Sequence, residues 1–61
     1  MSPALSEVYE LSKQIPPPLD VFEQTDELYS FIEDGEEVMF GMLLETISSN
    51  VAREEIKAAG Q

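Results

Sequence analysis

The chain contains no cysteine and no histidine, and only three basic residues stand against thirteen acidic ones. Each shortage removes a class of explanation. Without cysteine there is no disulfide to staple a small fold, and without cysteine or histidine the ligands of ordinary structural zinc sites are missing. A reducing compartment fits this usage, because disulfides persist mainly in oxidising ones. No run of 18 or more apolar residues is present, and Met1-Ser2-Pro3 opens neither the basic start nor the apolar core of a secretory signal. The expectation is a soluble, cytoplasmic protein. The initial methionine and the lack of a low-complexity tail suit a complete small reading frame.

The same inventory argues against catalysis. With no imidazole and no thiol, the groups left for acid–base or nucleophilic work near neutral pH are perturbed carboxylates and two lysines, Lys13 and Lys57. Nothing beside them activates a nucleophile, so the chain is read as a non-enzyme with no cofactor. Scarcity of positive charge is as informative. A formal net charge of −10 opposes direct contact with nucleic acid or an anionic membrane and favours a basic partner.

Sixty-one residues form at most one small domain, here residues 1–61. Chains of this size bury only about 60% of the surface they expose when unfolded, so a lone monomer has a thin core. A partner chain is the remaining remedy.

Three segments carry helical periodicity. Ser2 can cap a first helix and Pro3 fits its first turn, after which Leu5, Val8, Leu11 and Ile15 recur at spacings of three and four, with Tyr9 on the flank. Pro16, Pro17 and Pro18 end that helix, predicted over residues 3–14, and make a stiff corner. Asp20 and Glu23 have the spacing of a capping box, and Thr25-Asp26-Glu27 offers a second start for a helix over about 21–33. In it Leu28, Phe31 and Ile32 share one side, away from Glu23, Asp26, Glu27, Glu33 and Asp34, and Tyr29 and Phe31 are expected in the core.

Asp34-Gly35 between apolar stretches is also a two-residue hairpin signal, which would make the fold α+β. That hairpin would place Glu33 opposite Glu36, an unfavourable like-charge pair. A helix break at Gly35, capped by Asp34 or a neighbour, is preferred. The third helix, about 36–59, presents Phe40, Leu43, Leu44, Ile47, Val51 and Ala58 on one stripe. Val38, Met42, Ala52 and Ile56 form a second stripe nearly opposite, beside Gly41. A helix apolar on two sides needs two packing partners. The predicted fold is therefore all-α, three short-to-medium helices completed by dimerisation, with the second stripe used for self-association.

Charge is unevenly distributed. Asp20, Glu23, Asp26, Glu27, Glu33, Asp34, Glu36 and Glu37 lie within eighteen positions that hold no Lys or Arg, whereas Arg53 and Lys57 offset Glu54 and Glu55 near the C-terminus. Glu33, Asp34, Glu36 and Glu37 are hard oxygen ligands, but they lack EF-hand spacing, so no metal is assigned. Carboxylates one turn apart on a rigid face can imitate phosphates, as a DNA mimic does, or plug a basic site, as an antitoxin or immunity protein does. The expected function is a small acidic regulatory protein that inhibits or recruits a partner with a basic surface. The alternative is an assembly subunit that joins a larger complex through its C-terminal helix. Tyr29-Ser30-Phe31-Ile32 and the three prolines are too short to count as sorting or polyproline signals.

Overall fold

The computed structural model describes residues 1–60 and contains three helices, α1 (Pro3–Lys13), α2 (Val21–Tyr29) and α3 (Glu37–Ala59), with no strand among the described residues. The all-α expectation holds. The first helix begins where its sequence directs: Ser2 Oγ accepts from the Leu5 backbone N–H at 3.1 Å, and Pro3 occupies the first turn. It ends at Lys13 because Gln14 is already extended ahead of the prolines. Ile15, expected on the same stripe, consequently lies outside the helix and is 59% exposed.

The start of α2 departs from a capping box. The Asp20 side chain does not cap the helix; its Oδ1 accepts from Gln24 Nε2 at 2.8 Å instead. Thr25 is no helix start but a buried mid-helix residue whose hydroxyl donates to the Phe22 carbonyl at 3.0 Å. The helix also stops four residues earlier than expected. Ser30, Phe31 and Ile32 each donate their N–H to the carbonyl three residues back, a tightened last turn that rotates the side chains off the helical stripe. Leu28 and Ile32 still pack against the core, but Phe31 is 74% exposed. Tyr29 is half-exposed, its ring set edge-to-face on Phe40 with centroids 4.9 Å apart. Neither Tyr29 nor Phe31 is the core residue the sequence suggests: Phe31 lies past the helix end, where the helical period no longer holds, and Tyr29, the last residue of α2, is covered only on the side that meets Phe40.

Asp34-Gly35 is a helix break, but the expected side-chain cap is absent: the N-cap residue of α3 is Glu36, and its side chain makes no capping bond. Gly35 has φ +91°, a left-handed conformation that glycine adopts without a Cβ penalty, and it turns the chain into α3.

The core consists of Leu5, Val8 and Leu11 from α1, Val21 from α2, and Phe40 and Ile47 from α3, with Leu43, Leu44 and Val51 packed around it. Ala58, the last member of the expected core stripe, is exposed. It lies instead along a shallow groove of about 500 Å³ between α3 and the proline corner. A buried polar contact joins α1 to α3: Asn50 Nδ2 donates to the Ser12 carbonyl at 2.9 Å, while the Ser12 hydroxyl donates to the Tyr9 carbonyl at 2.6 Å. No buried side-chain nitrogen or oxygen among the described residues lacks a partner.

Replacing Asn50 by Ala leaves the Ser12 carbonyl without its donor, and urea unfolding should report a loss of about 1–3 kcal/mol. An unchanged midpoint would show that water satisfies that carbonyl equally well.

Candidate functional site

Two surfaces separate once the helices are in place. The acidic one runs along α2 and through the turn into α3. Asp20, Glu23, Asp26, Glu27, Glu33, Asp34 and Glu37 are all exposed. The cations of the chain are elsewhere: Lys13 pairs with Glu10 at 4.0 Å and Lys57 with Glu54 at 3.6 Å, and among the described residues no salt bridge reaches any of the seven. Their charge is left to solvent. The turn itself is laced by its own carboxylates, since Gly35 N–H donates to Glu37 Oε2 at 3.0 Å and Glu33 N–H to Glu36 Oε1 at 2.9 Å. Among the described residues no three acidic side chains converge on a point that could hold a cation.

Glu36 does not stand with the other seven. Its carboxylate is half-buried and turned toward the chain start, where Oε2 accepts from the Ser2 backbone N–H at 2.7 Å and Oε1 from the Ser2 hydroxyl at 2.6 Å. Ser2 therefore serves two helices, capping α1 while tying it to the entrance of α3. The Ser2 hydroxyl, then the Glu33 and Ser2 N–H groups, hold the Glu36 carboxyl below its ordinary value, against a smaller opposing effect of desolvation. Glu36 is a structural tie between α1 and α3 and not part of the exposed acidic surface. Ser2 and Glu36 are 34 positions apart, and no local pattern announces such a pairing.

The second surface is the outer side of α3. Val38 is 76% exposed, Ile56 71% and Met42 58%, and Ala52 between them is exposed as well. Met39 extends the patch, and together with Met42, Leu43, Glu45, Thr46 and Ser49 it lines a shallow depression. A side chain added at Gly41 would meet nothing within 4 Å, so the helix surface there is smooth. Neither α1 nor α2 covers this side. Further exposed apolar groups, Ile15, Leu19 and Phe22, flank the proline corner.

The chain matches no protein-family model, no curated protein and no solved structure. The functional reading therefore rests on these surfaces alone.

Glu36→Gln tests the tie. A carboxylate with a lowered pKa stabilises the fold above its unfolded pKa and loses that contribution as pH falls through the folded value. The stability gap between wild type and Glu36→Gln should be full at neutral pH and close below the ordinary carboxylate range. A gap independent of pH would mean that the ionised carboxylate contributes nothing.

Proposed function

We propose that this chain is a small acidic regulatory protein, not an enzyme, which works in the cytoplasm by engaging a partner protein with a basic surface. The observation that carries the reading is the band of seven exposed carboxylates from Asp20 to Glu37, none paired with a cation among the described residues. Such a field attracts a basic surface over a Debye length and accelerates association with it. Held on α2 and a hydrogen-bonded turn, the carboxylates keep a fixed spacing, as blocking a phosphate-binding site would require. Inhibition or recruitment by DNA mimicry, or in the manner of an antitoxin or immunity protein, is the form of regulation this surface suits. No helix among the described residues is long and apolar enough to cross a membrane.

A second reading has its own support. The exposed side chains of Val38, Met42 and Ile56 along one helix face suit an assembly subunit in which the acid serves only solubility.

The two readings respond oppositely to substitution. If the acidic band binds, a partner captured at low salt should be released as salt rises, and the combined variant Glu23→Gln, Asp26→Asn, Glu27→Gln, Glu33→Gln should lose it while remaining helical by circular dichroism. Capture unchanged by these four neutralisations would sink the first reading. Capture lost on Met42→Glu would favour the second.

A further inference from the structure

The outer face of α3 has a symmetry that its composition alone does not reveal. Val38, Met42, Glu45, Ser49, Ala52 and Ile56 follow one another at alternating steps of four and three, so they form one continuous seam along the helix. Both step patterns read the same in reverse about the level of Ile47. Val38 and Ile56 are equidistant from that level, as are Met42 and Ala52, and Glu45 and Ser49.

We propose that the occupant of this face is a second copy of the chain, docked antiparallel about a two-fold axis that passes the outer side of α3 at the level of Ile47. In that arrangement Val38 meets Ile56 of the second copy, the large Met42 meets the small Ala52, and Glu45 meets Ser49. Each match recurs on the other side of the axis, as an isologous interface requires. Ser49, Ala52 and Gly41 keep the seam low enough for close approach. The polar layer has partners: the Ser49 hydroxyl can donate to Glu45, and Arg53 of the second copy lies one turn beyond that serine. Arg53 forms no salt bridge among the described residues, so its guanidinium is available to Glu45.

Glu45 also decides the orientation. In a parallel dimer it would face its own copy across the seam, and both acidic turns, Glu33 to Glu37, would lie at the same end. Like charges set opposite one another are destabilising. The antiparallel arrangement removes both conflicts and brings each acidic turn toward the end of the partner helix where Arg53 and Lys57 offset Glu54 and Glu55. The elongated molecule, 43 × 17 × 14 Å, leaves this face open along the helix, because α1 and α2 both pack against the opposite side. The interface does not involve the carboxylates of α2, so it can fail or hold independently of the acidic-band reading.

The native chain lacks cysteine, which makes single-cysteine crosslinking of the full-length protein unambiguous. Two Met42 residues would be about 15 Å apart along the axis of the antiparallel dimer, beyond the roughly 7 Å Cα separation a disulfide tolerates. Met42→Cys chains mixed with Ala52→Cys chains should form a mixed disulfide dimer on mild oxidation, and neither should crosslink to itself. By sedimentation equilibrium the unmodified chain should dimerise, and Glu45→Arg and Arg53→Glu should each raise the dissociation constant roughly tenfold or more. The double variant should recover most of that loss. These positions are solvent-exposed in the monomer, and retained helicity by circular dichroism separates lost association from lost folding. A chain monomeric at every concentration, a Met42→Cys chain that crosslinks to itself, or a dimer whose mixed pair stays uncrosslinked would each overturn the proposal.

Discussion

A 23-residue helix is about 35 Å long, and the two helices packed against it have 11 and 9 residues, about 17 and 14 Å. They cannot surround it. In this structure α1 and α2 collect on one side of α3, the core is one layer thick, and the far side of the long helix stays in water. The exposure of Val38, Met42 and Ile56 is therefore a consequence of chain length as much as of sequence pattern. A thin core also explains the weight carried by polar contacts. Few apolar side chains are fully enclosed, so the relative placement of the helices depends on directional bonds.

Two such bonds set the geometry. Ser2 and Glu36 lock the start of α1 to the start of α3, and Asn50 locks the end of α1 to the middle of α3. Between these points Leu5, Val8 and Leu11 pack in one buried cluster with Phe40 and Ile47. The Ser2–Glu36 tie has a cost in the turn, where Glu33, Asp34 and Glu37 crowd more negative charge beside it. Backbone N–H groups of Glu33 and Gly35 answer part of that charge. The N-terminal end of α3 contributes as well, since its unpaired amides carry partial positive charge.

The three helices and the inner stripe of α3 were legible because both rest on local signals: a serine cap, a proline stop, a glycine break and a 3.6-residue period. What was not legible has a common cause. Asn50 and Ser12, like Ser2 and Glu36, are joined by tertiary packing across more than thirty positions, and nothing in a window of one helix reports it. Ser12 and Asn50 read as surface residues until the partner is known. The early end of α2 was missed for a different reason. Residues 30–32 retain an apolar pattern compatible with helix, yet they form three-residue hydrogen bonds ahead of the Gly35 turn. Of the eight carboxylates read as one face, seven remain on the surface, and Glu36 differs through a contact that composition cannot foretell.

The acidic band and the apolar seam place opposite demands on ionic strength. Joining two chains of net charge −10 would bring like charge together, a repulsion that salt screens, so added salt would favour the proposed homodimer until its Glu45–Arg53 pairs weakened. Attraction between the acidic band and a basic partner is screened by the same salt and weakens from the start. The proposed antiparallel docking would moderate the conflict by holding the two acidic turns at opposite ends of the assembly. It would also change what a basic partner meets, because a dimer so built would present two acidic turns at opposite ends. A partner with two basic sites at a matching span would then bind more tightly than either end alone could account for, the second contact being intramolecular once the first has formed. Self-association and recruitment would in that case be successive uses of one charge distribution, with the apolar side of α3 setting the distance between the two acidic ends.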